Sequence, residues 1–260
     1  MARIGWFWWL VPALMLLLGA PLWLHWWEPA MFLAINQAGL VLPAVVWTGL
    51  SLLGNAWAIL GLTAPLLVLA PRLMWAWLCA APFAIVFART GKALIESPRP
   101  AAVIDNSQMR IVGEVLENVS MPSGHTLTAF AVASGIYFAL PVARRWRHSW
   151  LFVLAAGAGL SRMTVGAHWP GDVAVGAGLG LLGGLLAQRL LDRMGPQHLQ
   201  PTAWSLRLVA CLVALAVYHL LAEQLDFAEN QPAQWVLAVV ALGSLCVFAW
   251  QNWRLVRAGK

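Results

Sequence analysis

Ser161-Arg162-Met163-Thr164-Val165-Gly166-Ala167-His168-Trp169-Pro170-Gly171-Asp172 carries an arginine, a histidine and an aspartate between two long apolar runs. Ions are costly to hold beside hydrocarbon, so ionisable groups at membrane depth mark function rather than packing. Two earlier stretches share the pattern: Lys92 through Arg99-Pro100, and Pro122-Ser123-Gly124-His125. The three are expected to meet at one membrane face and to form a site that processes phosphate.

Composition supports the membrane reading. Of 260 residues, 61% are hydrophobic and only 10% charged, which excludes an ordinary water-soluble globule. Seventeen tryptophans against two tyrosines fit a chain whose indole rings settle at the headgroup level. A net charge of +6 would point to nucleic acid in a soluble protein. Here the cations are spread over loops between apolar runs, so bilayer orientation explains them and no nucleic-acid partner is expected. Cys79, Cys211 and Cys246 lie inside apolar runs without CxxC spacing, which argues against a disulfide framework and against a zinc site. The first apolar run is bracketed by Trp6, Trp8, Trp9 and then Trp23, Trp26, Trp27 and has no A-x-A cleavage signature. It is expected to be a retained transmembrane helix rather than a signal peptide.

The predicted fold class is all-α: a polytopic transmembrane helix bundle. Runs able to span lie near 6–27, 51–70, 73–92, 122–140, 149–166, 170–190, 204–222 and 233–250. Glu28 to Asn55, interrupted by Pro43, Gly49 and Gly54, is expected to form a short interfacial helix. With the N-terminus inside, Arg3, Arg72, Arg144, Arg145, Arg147, Arg189, Arg193, Arg207, Arg254, Arg257 and Lys260 fall on the cytoplasmic side. The outer side receives Glu28, Glu96, Asp105, Glu114, Glu117, Asp172, Glu223, Asp226 and Glu229. Five cations remain outside against the charge rule: Arg89, Lys92, Arg99, Arg110 and Arg162. An anion beyond the cytoplasmic leaflet would compensate them. The polar stretch 93–121 reads as an outer loop or lid. Gly176, Gly180 and Gly184 form a G-x-x-x-G-x-x-x-G row that predicts close helix packing.

Each motif residue has a structural reading beside the chemical one. Pro170 fits the first position of a helix, which puts Asp172 in the first turn and His168 just before it. Asp172 then either answers the helix dipole or accepts the Nδ1 proton of His168 and leaves Nε2 as a nucleophile. Ser123 is a good N-cap, and Gly124 either provides a flexible joint or lets an anion approach the first-turn N–H groups. His125 either snorkels to the interface or acts as a general acid. Lys92, Arg99 and Arg162 either anchor lipid headgroups or clamp a phosphoryl group.

Taken together, Lys92-(six residues)-Arg99-Pro100, Pro122-Ser123-Gly124-His125 and Ser161-Arg162-(five residues)-His168-(three residues)-Asp172 resemble the tripartite signature of the type 2 phosphatidic acid phosphatase (PAP2) superfamily, also found in vanadium haloperoxidases and bacterial acid phosphatases. Every signature position is filled within residues 92–172. The resemblance implies a six-helix phosphatase core with its site at the outer face and a phosphohistidine intermediate on His168. It implies His125 as acid and then base, with phosphate held by Lys92, Arg99, Ser123, Gly124, Ser161 and Arg162. No cofactor and no required metal are implied.

The expected organisation is a membrane phosphatase core over 1–193 and an additional C-terminal pair of transmembrane helices with a cytoplasmic tail over 194–260, to which the resemblance gives no role. The expected partners are the bilayer and a membrane lipid phosphate. The expected place is the bacterial inner membrane, with the site facing the periplasm and both termini in the cytoplasm. Undecaprenyl diphosphate is the first substrate, because small bacterial membrane members of the superfamily often recycle that carrier. Phosphatidylglycerophosphate and lipid A phosphates follow. Phosphotransfer to a lipid hydroxyl and a phospholipid transporter or flippase are the competing functions.

Overall fold

The computed structural model describes residues 4–24 and 29–258. Arg3, Trp26, Trp27, Glu28 and Lys260 lie outside them. The described chain is helical: α1 (Phe7–Leu24), α2 (Pro29–Ala38), α3 (Ala44–Ser51), α4 (Ala56–Thr63), α5 (Leu66–Leu69), α6 (Pro71–Leu78), α7 (Ala81–Leu94), α8 (Gly124–Ala139), α9 (Val142–Arg145), α10 (Trp150–Thr164), α11 (Pro170–Leu191), α12 (Trp204–Ala222) and α13 (Gln231–Ala258). This is a multi-pass membrane bundle. Segments Pro71–Leu94, Pro170–Leu191, Pro196–Ala222 and Ala228–Ala258 are long and apolar enough to cross a bilayer.

Two expectations about the spans need correction. The single span over 51–70 is broken: Ala64 and Pro65 separate α4 from α5, and Pro71 ends α5 by restricting the residue before it. In place of one short interfacial helix over 28–55, α2 and α3 belong to two helical arms that meet at 113° around Pro43. Both arms lie against α10. Asn36, fully buried on the first arm, donates to the Met163 and Arg110 carbonyls, each at 3.0 Å, so the bend lies at the end of α10 near His168.

The centre of the bundle is α8, which packs against α6, α7, α10 and α11. Its closest partner is α11, and the glycine row explains why. A Cβ on Gly176 would lie 2.8 Å from the Ser123 carbonyl oxygen, and one on Gly180 would lie 2.4 Å from that of Leu127. Gly184 likewise faces the Gly135 amide, 2.7 Å from where its Cβ would be. Backbones this close fit only without side chains. α12 and α13 pack on each other and on α4 and α5, around Val209, Val213, Ala216 and Ala241.

Charge separates the two ends of the bundle. At one end, Arg145 closes α8 by donating to the Phe138 and Leu140 carbonyls at 2.8 and 3.1 Å, and Arg72 pairs with Asp192 at 3.4 Å. The other end holds the C-termini of α7 and α10 and the N-termini of α8 and α11. All three motif stretches are there.

Candidate active site

His168 sits in the turn between α10 and α11, and it is held by backbone first. The Arg162 carbonyl accepts from both Ala167 N at 2.9 Å and His168 N at 3.1 Å. Gly166 makes the turn possible with φ of 88°, where a Cβ would also strike the Arg110 carbonyl oxygen of the lid at 2.6 Å. Trp169, fully buried, then donates its indole N–H to the Pro98 carbonyl at 2.8 Å and packs on Phe32. The backbone that carries the His168 imidazole is therefore fixed by the turn and its neighbours.

Its two nitrogens face different partners. Nδ1 lies 3.2 Å from Asp172 Oδ2, and Nε2 lies 3.3 Å from Arg99 Nη1. Arginine only donates, so Nε2 carries the lone pair and Nδ1 the proton. Burial holds the imidazole well below its ordinary pKa, and the charges of Arg99, Arg162 and Lys92 push the same way. A neutral ring with the lone pair on Nε2 is the form that attacks phosphorus.

Asp172 does what helix geometry asks and more. Its Oδ2 accepts from Trp169 N at 2.9 Å, capping the start of α11, and also from the Ser120 hydroxyl in a close contact. Its Oδ1 is buried without a hydrogen-bond partner among the described residues. The carboxylate thus caps the helix and fixes the His168 tautomer together. The two readings of Asp172 are not exclusive.

The cations are placed by the lid and helix ends. Arg99 is buried, with Nη1 donating to the Ala167 carbonyl at 2.7 Å and Nε to Asn118 Oδ1 at 2.6 Å. Lys92, in the last turn of α7, donates to the Val119 carbonyl at 2.9 Å. Arg162 donates to Ser51 Oγ at 2.6 Å and lies over the Phe227 ring. Beside it, Arg162, Asp226, Phe227 and the Val165–Ala167 turn line a cavity of about 110 Å³.

The lid is tied to this frame rather than hanging free. Ser120 N donates to the Ser97 carbonyl at 2.9 Å, Val112 N to Val165 O at 3.1 Å, and Arg110 Nη1 to Gly39 O at 2.8 Å.

At α8, Ser123 caps the helix, its Oγ accepting from Thr126 N at 3.4 Å, while its own N–H donates to the Asp172 carbonyl at 3.1 Å. Among the described residues outside its own turn nothing lies within 4 Å of a Cβ on Gly124, so the helix start is open to an approaching group. His125 pairs with Asp226, Nε2 to Oδ2 at 3.0 Å. Ser161 does not join the cluster, because its hydroxyl donates back to the Ala158 carbonyl of its own helix at 2.7 Å.

The structure therefore brings Lys92, Arg99, Ser123, Gly124, His125, Arg162, His168 and Asp172 to one end of the bundle. It adds Ser51, Asn118, Ser120 and Asp226, which local sequence does not single out.

Comparison with known proteins agrees with this frame. Residues 73–195 match the PAP2 superfamily. A decaprenylphosphoryl-5-phosphoribose phosphatase from Mycobacterium tuberculosis is 32% identical over 163 residues, which is 59% of this chain and 84% of that one. A lipid A 1-phosphatase from Porphyromonas gingivalis is 37% identical over 73 residues, 28% of this chain but only 16% of that protein. The crystal structure of Aquifex aeolicus LpxE superposes with a TM-score of 0.53 at 26% identity, over 62% of this chain and 93% of that one. A PAP2-type phosphatidylglycerolphosphate phosphatase from Bacillus subtilis shares the fold, with a TM-score of 0.50 at 21% identity over 71% of this chain and 97% of that one. From the filled signature, the bundle and these likenesses together, the chain belongs to the PAP2 superfamily of membrane phosphatases.

Proposed function

We propose that this protein removes a phosphate or diphosphate headgroup from a membrane lipid at the periplasmic face of the bacterial inner membrane, through a phosphohistidine on His168. One observation carries the reading: a buried imidazole with Nδ1 against a carboxylate and Nε2 against a guanidinium, at a helix-end cluster of cations. In the first step Nε2 of His168 forms a bond to phosphorus as the bond to the leaving oxygen breaks, and His125 gives that oxygen a proton. Lys92, Arg99 and Arg162 neutralise the equatorial oxygens, and the Gly124 N–H and the Ser123 hydroxyl add donors. In the second step His125 takes a proton from water, the hydroxide attacks phosphorus, and the N–P bond breaks to release inorganic phosphate. Ser161 joins the phosphate only by turning its hydroxyl off Ala158.

Undecaprenyl diphosphate hydrolysed to undecaprenyl phosphate is the first substrate. A relative named for a decaprenyl-linked phosphate supports a polyprenyl chain. Lipid A 1-phosphate and phosphatidylglycerophosphate form the second reading, supported by the names of the other likenesses. The test is phosphate release by purified protein from a panel of polyprenyl, lipid A and glycerolipid phosphates, with chelator present and no metal added. Release of inorganic phosphate, fastest from undecaprenyl diphosphate, is expected. Label arriving on another lipid would make the protein a phosphotransferase, and tight binding without release would make it a transporter.

A further inference from the structure

The motifs end at Asp172, yet the turn between α12 and α13 reaches into the site. Asp226 Oδ2 lies 3.0 Å from His125 Nε2 and 2.9 Å from Asn55 Nδ2. Asn55 is itself immobilised, because its Oδ1 caps α4 by accepting from Trp57 N at 3.0 Å and Ala58 N at 3.3 Å. Asp226 adopts φ of 53°, a left-handed conformation that persists only where the surroundings determine it.

The neighbours supply that determination. Phe227 is buried beneath the Arg162 guanidinium and against the lid at Gly113, and Asn230 Nδ2 donates to the Thr48 carbonyl at 2.9 Å. Burial alone would raise the Asp226 carboxyl, but hydrogen bonds from His125 and Asn55 and the charge of Arg162 outweigh it and hold the group below the usual carboxylate range. It is an anion at neutral pH, aimed at one nitrogen of one imidazole.

We propose that Asp226 is a positioning residue for the reaction, holding His125 by Nε2 so that Nδ1 is the atom that gives a proton to the leaving oxygen and takes one from water. The proposal rests on the phosphohistidine reading above. Among the described residues Nδ1 of His125 has no hydrogen-bond partner, which leaves it free for substrate. The two imidazoles are thus held through opposite nitrogens. Asp172 takes Nδ1 of His168 and exposes Nε2 to phosphorus, whereas Asp226 takes Nε2 of His125 and exposes Nδ1 to the departing oxygen. A carboxylate in this place fixes ring orientation and stabilises the imidazolium that must exist before the first proton transfer. In that transfer the Nδ1 proton leaves, the Nε2 proton stays on the Asp226 hydrogen bond, and no other reactant is needed. The last two helices, on this account, contribute part of the catalytic apparatus.

The experiment compares full-length wild type, Asp226→Asn, Asp226→Glu, His125→Asn and the double variant Asp226→Asn/His125→Asn in phosphate release from the best lipid of the panel. Asp226→Asn is expected to lower kcat by about 10- to 100-fold while KM stays within about threefold, as for loss of support to a general acid. Asp226→Glu should recover part of that loss, and Asp226→Asn should cost nothing further in the His125→Asn background. A kcat within twofold of wild type, a change confined to KM, or an equal loss in both backgrounds would overturn the pairing. Should the asparagine variant fail to fold, the nitrogen-15 spectrum of histidine-labelled wild type decides, with the His125 signals assigned by their loss in His125→Asn. Neutral His125 protonated on Nε2 is expected, and protonation on Nδ1 would overturn the proposal. A wild type that releases no phosphate from any lipid would sink the phosphatase reading and this one with it. An active wild type with an indifferent Asp226 sinks this one alone.

Discussion

Adding one methyl group at Gly180 tests whether contact between α8 and α11 sets the geometry of the site. Its Cβ would lie 2.4 Å from the Leu127 carbonyl oxygen and 2.7 Å from Phe130 Cβ. Carbon–oxygen contacts of this kind settle at about 3.3–3.6 Å, so the helices must part by roughly 1 Å. Overpacking of this sort costs about 1–3 kcal/mol, partly offset by up to about 1 kcal/mol from replacing glycine inside a helix. Gly183 on the same helix is the control, since its Cβ would meet nothing closer than 3.6 Å. Gly183→Ala should be neutral or slightly stabilising. The two single-methyl variants should therefore differ by about 2 kcal/mol, or about 4–8 °C in apparent Tm for a chain of this size. Tryptophan fluorescence on heating in one detergent measures the gap. Turnover should fall with Gly180→Ala alone, because α8 carries Ser123 and His125, α11 carries Asp172, and the Ser123 N–H to Asp172 carbonyl bond of 3.1 Å joins them. If Gly180→Ala melts as high as Gly183→Ala, the packing argument fails.

Other outcomes follow from the site. His168→Ala should abolish phosphate release while the protein still inserts and elutes as wild type, and residual turnover within tenfold would exclude the covalent route. Asp172→Asn should cut kcat by about 10³-fold or more, because the amide favours the wrong His168 tautomer. Inhibition by vanadate should survive that change, and loss of vanadate affinity instead would point to a collapsed site. The His168 contribution to stability should fall as pH drops from about 7 to 5: the unfolded chain takes up a proton near 6.5, the ordinary value for histidine, whereas folded His168 resists it. Thermal melts across that range should show a shallower decline for His168→Gln, and parallel curves would refute the assignment.

Ions stranded between apolar runs made most of the site legible in the sequence. Lys92, Arg99, Arg162, His168 and Asp172 are expensive where they stand, and expense at membrane depth is readable without a structure. Glycines at every fourth position of α11 were readable for a similar reason, since few other roles fit that spacing. The supporting groups were not readable. Ser120, Ser51 and Asn118 are neutral residues of a kind common in any loop, and only the fold brings their hydroxyls and amide to Asp172, Arg162 and Arg99. Asp226 lies 101 residues from His125, too far for any local pattern to pair them. The run 51–70 misled because apolarity alone does not show where prolines at 65 and 71 interrupt a helix. Ser161 was assigned by motif position, whereas its hydroxyl finds a carbonyl in its own helix.

Two helices that carry site residues are short. α8 and α10 have 16 and 15 residues, which at 1.5 Å per residue reach only about 22–24 Å. A hydrocarbon layer is about 30 Å thick, so the surrounding leaflets must thin or dip on this side of the protein. A headgroup drawn down with that dip would meet His168 with its tails still among their neighbours. Hydrophobic mismatch then becomes a control on turnover, and host lipids with longer acyl chains should slow the enzyme without touching a single side chain.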